Sequence, residues 1–307
     1  MSLSKVRFAV LAWAGVMASG AQAVDLEQAY RDAVTYDATL SGARASLAAG
    51  REKLPQGRAG LLPTISLSGN TNYNTAVFNN LDPHFTSKYN SHSWIAQLNQ
   101  PLFRWQNWVQ FKQGELNVGL AEAQFKLAEQ DLVLRVAQAY FDVLAAQDTL
   151  VAASALRDAN AQQLALAKKS FEVGTVTITD VHEAQSRYDL SSAQTIAAES
   201  DLEVRRNALA VLTGKTPDAL KTLRKGVALS SPEPADMPSW VSASEATALQ
   251  VQAAQLGVEI AAREIERNRA GHAPTVDLVA SYGNSVNPVA SVTPTTNYDS
   301  RAIGLQV

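Results

Sequence analysis

The sequence predicts a mainly α fold with a small antiparallel β part, in which one long helical hairpin dominates and short alternating strands attach to it. Three observations lead there. No proline falls between Pro101 and Pro217, two charge-free stretches alternate apolar and polar residues, and a helix-to-strand junction recurs 211 residues after its first appearance. The first arm of the hairpin runs from about Trp105 to Phe171, the turn is Glu172 to Ile178, and the return arm is Thr179 to Leu212. A single helix of about 67 residues reaches roughly 100 Å at about 1.5 Å per residue. A compact globular domain uses helices of about 11–12 residues.

The apolar residues of this arm favour a lining over a filament. Leu127, Leu134 and Phe141 recur every seventh position; so do Val118, Phe125 and Leu132, continuing as Ala139, Ala146 and Ala153, and Val136, Val143 and Leu150 form a third row. A two-stranded coiled coil needs one seam per helix. Adjacent rows, many of them alanine, suit a helix with a neighbour on each side, close enough for small residues to interlock. Such helices are staves of an α-barrel. A long coiled-coil spacer satisfies the same periodicity.

At the N-terminus, residues 1–23 read as a secretory signal peptide. Lys5 and Arg7 supply the charge, Phe8 to Ala18 the apolar stretch and Ala21-Gln22-Ala23 the cleavage site. The apolar stretch is short for a membrane anchor. Without Lys5 and Arg7 the chain carries 24 basic against 29 acidic residues, a net charge of −5, and no basic stripe for nucleic acid. There is no cysteine. No later segment has the 18 or so continuous apolar residues of a membrane helix, so any spanning elements are strands.

Residues 25–61 read as one helix, opened by an Asp25/Gln28 capping box, kinked near Pro55 and stopped by Pro63. From Thr64 to Phe78 the period changes to two. Ile65, Leu67, Gly69, Thr71, Tyr73, Thr75 and Val77 take one face; Thr64, Ser66, Ser68, Asn70, Asn72 and Asn74 take the other. A polar loop from Asn79 to Tyr89 leads to a second extended stretch, Asn90 to Phe103, and aromatic residues gather near the strand ends. This suits an outer-membrane barrel, whose lipid face excludes charge. An ordinary soluble hairpin with one wet face fits the pattern as well; the export signal and the long helix favour the barrel.

Gly214 with Pro217 ends the return helix, residues 226–240 read as a proline-rich linker, and a Ser242/Glu245 capping box opens a helix to about Gly271. Arg58-Ala59-Gly60-Leu61-Leu62-Pro63-Thr64-Ile65-Ser66-Leu67 then matches Arg269-Ala270-Gly271-His272-Ala273-Pro274-Thr275-Val276-Asp277-Leu278 at six of ten positions. Residues 24–225 thus form a first structural repeat and 241–307 a truncated second one. Two full copies need about 445 residues, so the chain is expected to be a fragment. Even two complete copies supply four strands, whereas outer-membrane barrels start at about eight. Because an open sheet edge cannot sit in lipid, the barrel must be shared between chains.

Particular stretches carry a resemblance: Gly60 to Leu67, Gln97-Leu98-Asn99-Gln100-Pro101-Leu102-Phe103, Ala139-Tyr140-Phe141-Asp142-Val143-Leu144, and above all Phe171 to Val181 followed by Ala184-Gln185 and Tyr188-Asp189. In their order and spacing the chain resembles the TolC-type outer-membrane efflux proteins over almost its whole mature length. The resemblance implies a homotrimer, with four strands per protomer in a twelve-stranded outer-membrane barrel and helices in a long periplasmic tunnel. It implies a passive duct of a tripartite efflux pump or type I secretion system, partnered by a periplasmic adaptor (membrane fusion) protein and an inner-membrane pump, without catalysis or cofactor. Thr179 and Asp180 match a pair that latches the tunnel mouth by bonding to Tyr and Arg of the second hairpin, which lies beyond Val307. Val173, Gly174 and Thr175 match the adaptor-facing tip, although many efflux members carry Leu where Thr175 stands.

Each of these residues also has a plainer role. Thr177 or Thr179 can simply cap the return helix, with Asp180 favoured by the helix dipole, and Gly174 can be a left-handed cap. His84, His92, His182 and His272 lack ligand spacing, and no nucleophile–base constellation or phosphate loop is present. No metal, cofactor or enzyme activity is therefore expected. The alternative function is a periplasmic coiled-coil adaptor or spacer of an export complex.

Overall fold

A computed structural model describes residues 23–78, 85–216, 219–223, 226, 231, 233–288 and 296–307. The signal peptide up to Gln22, most of the loop after Phe78, Pro217, His84 and residues 227–230 and 232 of the 226–240 stretch lie outside the described residues. The described residues divide into two compact units, one within Met1–Arg44 and Lys126–Met237, the other within Ala45–Phe125 and Pro238–Val307.

The order is α1 (Leu26–Tyr36), α2 (Ala38–Arg51), α3 (Lys53–Ala59), β1 (Thr64–Phe78), β2 (Phe85–Phe103), α4 (Trp105–Glu172), α5 (Ile178–Thr213), α6 (Met237–Thr247), α7 (Leu249–Ala270), β3 (Val276–Asn287) and β4 (Thr296–Gln306). The long arm is one unbroken helix of 68 residues, and α5 ends on Gly214 in the left-handed region. No described helix is long and apolar enough to cross a membrane.

Three boundaries differ from the sequence reading. The helix expected over 25–61 is broken twice. Asp37 leaves the helical region at φ −57, ψ 121, and its carboxylate accepts from the Leu40 amide at 2.7 Å, so it closes α1 and opens α2. The second break is at Glu52, three residues before Pro55, where the sequence reading expects a kink. Proline has no N–H to offer the Arg51 carbonyl and its ring crowds that turn, so the helix restarts with proline inside its first turn. Strand β2 begins at Phe85, five residues before the expected Asn90, because the ladder with β1 continues through Val77↔Thr86 and Phe78↔Phe85. Polar side chains such as Ser87 and Lys88 mimic a loop in sequence, but the main-chain ladder does not depend on them. The helix expected from Ser242 begins at Met237, with Pro238 tolerated in its first turn, and it is interrupted at Ala248; Ser242 and Glu245 sit inside α6.

In the first unit the buried side chains come from α1 and α2 (Ala29, Ala33, Leu40), α4 (Leu132, Val136, Val143) and α5 (Ser191, Thr195, Leu202, Leu209). Small residues let α4 and α5 approach closely, and the Thr195 hydroxyl lies 3.3 Å from the Ala153 carbonyl. Tyr140 donates to the Lys221 carbonyl (2.8 Å) and also contacts that of Val24 (3.1 Å), pinning two extended segments that pair at Val24↔Leu220. The row containing Leu134 and Phe141 stays exposed on the single chain, Leu134 at 70%.

The second unit holds one antiparallel sheet in the order β1-β2-β3-β4. Its register puts Ile65, Leu67, Leu98, Ala96, Tyr282, Ile303 and Leu305 on one face. The opposite face carries Ser66, Asn70, Gln97, Ser93 and Ser281. Ile65 and Leu67 are about three-quarters exposed, at 77% and 75%. Arg104, between β2 and α4, grips Asp277 of β3 with two nitrogens. Helices α3 and α7 end alike, on Gly60 (φ −66, ψ −12) and Gly271 (φ −64, ψ −16), each shortly before a strand.

Candidate functional site

Helix α4 stops because Gly174 adopts φ +76, which L side chains avoid. Its amide donates to the Phe171 carbonyl (2.9 Å) and the Thr175 amide to that of Ser170 (2.9 Å). This crossed pair closes a helix with a Schellman motif. The motif commonly adds an apolar contact from the residue after the glycine. Here Thr175 instead donates its hydroxyl to the same Ser170 carbonyl, at 2.9 Å. Val173 projects beside this turn at 74% exposure, with Phe171 and Ile178 also exposed.

Two residues later the chain enters α5. Thr177 is the N-cap: its amide and hydroxyl donate to Asp180 Oδ2 at 2.8 and 2.7 Å, and the Asp180 amide points back at the hydroxyl, 3.3 Å away. Of the two caps the sequence allows, Thr177 is the one formed. Thr179 is exposed at the second helical position and makes no side-chain hydrogen bond among the described residues. The Thr177 hydroxyl, and then its amide, hold the Asp180 carboxyl below the usual carboxylate range.

Asp180 opens on a groove of about 410 Å³ between α4 and α5. Alanines 159, 167 and 184 contribute small side chains, while Asn160, Gln163, Asp180, Glu183 and Arg187 supply polar ones. Arg187 pairs with Glu183 at 2.5 Å, and the Asn160 amide lies 3.4 Å from the Arg187 carbonyl. The structure thus gathers Val173, Gly174 and Thr175 at the turn and sets Asp180 a few residues away on a polar groove. Sequence reasoning missed Asn160, Gln163, Glu183 and Arg187. The signal was available: 180, 183, 184 and 187 follow helical spacing along one face of α5. Higher in the same hairpin a second groove, about 530 Å³, is lined by Leu134, Ala139, Ala208 and Leu212 with Arg135, Asp142 and Arg205. Among the described residues no group of His, Cys, Asp or Glu could hold a metal ion.

A long helical hairpin continuous with strands that are apolar on one face and polar on the other defines a class of proteins with a β part for lipid and an α part for water. The profile of the outer membrane efflux protein family matches residues 29–215, more than half of the chain, and the chain belongs to that family. Membership places it in the outer membrane. It is 33% identical over 94% of its length to the proteases secretion protein PrtF of Dickeya chrysanthemi, of which it covers 63%. It is 31% identical over 95% of its length to the outer membrane protein TolC of Vibrio cholerae, covering 66%. The chain thus spans just under two thirds of these relatives. Crystal structures of CusC, which describe folding and transmembrane channel formation, share the fold with a TM-score of 0.74 at 17% identity, over 92% of this chain and 65% of that one. The Campylobacter jejuni CmeC outer membrane channel does so at 0.73 and 13%, over 92% and 61%.

Proposed function

We propose that the protein is the outer-membrane channel of an efflux pump or type I secretion system, a passive duct from periplasm to exterior with no catalytic step. The observation that carries this reading is the sheet, with an exposed, apolar face, a polar face and two edges, β1 and β4, that lack partners among the described residues. Exposed edges cannot persist in lipid. Three copies with four strands each close a barrel of twelve, within the range known for outer-membrane barrels. The exposed Leu134–Phe141 row supports lateral contact between helical hairpins in the same assembly. Helix ends at Gly60 and Gly271 and the matching residues around them support a first repeat over 24–225, a linker over 226–240 and a second repeat from 241.

The hairpin turn faces the periplasmic partners. Val173, Gly174 and Thr175 form the surface for the adaptor protein, which couples the duct to an inner-membrane pump. In a channel of the relatives' full length, Asp180, facing a groove, latches the closed mouth by bonding to the second hairpin, with Thr179 beside it. Purified protein in planar bilayers tests the central claim. Ion conductance, together with heat-modifiable trimers that resist carbonate extraction, is the expected result; release by carbonate without conductance would leave only the spacer reading.

A further inference from the structure

The two hairpins of the sheet repeat one another strand for strand. Thr64 and Leu67 of β1 recur in β3's segment as Thr275 and Leu278, 211 residues on, and Ser91 and Gln97 of β2 recur in β4 as Ser300 and Gln306, 209 residues on. The ladders obey both offsets, since Leu67↔Ala96 in the first hairpin becomes Leu278↔Leu305 in the second. The junction between the hairpins, β2 against β3, therefore has a counterpart that one chain cannot make: β4 against β1. These are the strands whose outer edges lack partners among the described residues. Three strand spacings, roughly 14 Å, separate them within the chain, so the counterpart needs a second copy.

The β2–β3 register, carried across by the same offsets, fixes how the copies meet. Trp94↔Asn284 becomes Ile303 opposite Tyr73 of the next copy, and Ala96↔Tyr282 becomes Leu305 opposite Thr71. Ser93↔Ser285 becomes Ala302 opposite Asn74, and Gln97↔Ser281 becomes Gln306 opposite Asn70. The exposed Ile303, Leu305 and Tyr73 thus stay on the apolar face, and Gln306, Asn70 and Asn74 on the polar one. A slip of one residue would reverse every one of them. Gly304 adds an independent sign. Within the chain a Cβ there would meet nothing within 4 Å, so no internal contact asks for glycine. A strand glycine often marks the close approach of another backbone. In the β2–β3 ladder Gly283 stands opposite Ile95, and a Cβ on it would lie 3.2 Å from the Ile95 Cβ. The same step of the carried register sets Gly304 opposite Asn72 of the next copy, so each seam keeps one glycine at its tight pair. We propose that β4 pairs antiparallel with β1 of a second copy in this register, with Gly304 facing Asn72. The inference rests on the shared-barrel reading above and specifies its seam.

The chain has no cysteine, so paired cysteines report the seam without background. Ala302→Cys with Asn74→Cys, in the full-length protein oxidised in outer membranes, should give covalent dimers and trimers that a reductant dissolves. Opposed Cβ atoms lie about 4.5–5.5 Å apart and diagonal ones about 7–8 Å, too far for a disulfide. Ala302→Cys with Asn72→Cys, and Ala302→Cys with Ala76→Cys, should therefore remain monomeric on denaturing gels. Gln306→Cys with Asn70→Cys repeats the measurement at another step, should the first pair fail to assemble. Gly304→Val should lower the temperature at which the oligomer dissociates. Stronger cross-linking by a flanking pair would overturn the register and leave the shared barrel standing. No cross-link from either matched pair in an intact oligomer, or an unchanged dissociation temperature for Gly304→Val, would likewise count against this seam. A wild-type protein with no oligomer at all would instead overturn the shared barrel beneath it.

Discussion

Asp37 shows how one side chain sets a helix boundary. It is buried, it caps α2 through the Leu40 amide, and Arg135 of α4 holds it with two bonds of 3.0 and 3.1 Å. The Arg135 hydrogen bonds, joined by the Leu40 amide, depress its pKa against the opposing effect of burial. A depressed carboxylate contributes stability above its ordinary titration range and loses it as pH falls through the lowered value. Amide exchange at Leu40 should therefore accelerate only below the usual carboxylate range. Removing the partner, Arg135→Ala, strands the buried carboxylate and should cost up to about 3 kcal/mol in denaturant unfolding. Arg31→Ala, which breaks an exposed pair with Glu27, should cost less than about 0.5 kcal/mol. If Asp180 is a latch to the second hairpin, Asp180→Ala in a channel of the relatives' full length should raise single-channel conductance. Thr177→Val, which removes the cap and keeps the charge, should not; equal effects from both would reduce Asp180 to a capping residue. The cap at Thr177 was legible from sequence because local capping chemistry repeats across proteins. The Asp37–Arg135 pair was not, since its members are 98 residues apart and nothing local announces the contact.

At the scale of elements, the arms were readable where one signal ruled and misread where two competed. Helix α4 has no proline and a sustained seven-residue recurrence, and it forms within a residue of its expected ends. The helix at 25–61 carried a strong periodic signal that hid one punctuation mark, Asp37, whereas Pro55 announced the second break within a few residues. Strand β2 starts earlier than its polar composition suggests, because the main-chain ladder with β1 runs through Ser87 and Lys88 whatever their side chains. Two of the three left-handed glycines among the described residues, Gly174 and Gly214, separate strain from packing. Around Gly174 a Cβ would meet nothing within 4 Å, so Gly174→Ala adds only backbone strain, about 1 kcal/mol in thermal unfolding. At Gly214 a Cβ would stand 2.5 Å from the Tyr36 ring. Gly214→Ala should therefore destabilise more than Gly174→Ala, and equal losses would show that the Tyr36 ring simply moves aside.

For the whole molecule the question is which face of the sheet meets lipid, and the two faces make opposite demands on the same substitution. Leu67 and Ser66 are neighbours in β1 and pair with Ala96 and Gln97, so they point to opposite sides at nearly the same depth. In a soluble hairpin a cation at Leu67 would be solvated and harmless. In a barrel it meets acyl chains, at a cost of about 2–4 kcal/mol near the bilayer midplane. Leu67→Arg should therefore lower the yield of heat-modifiable trimer and its dissociation temperature, whereas Ser66→Lys, facing a water-filled lumen, should leave both nearly unchanged and shift ion selectivity towards anions. The opposite ranking would turn the sheet inside out. If neither substitution had any effect, the sheet would lie in water, and the long hairpin would have to be explained without a membrane.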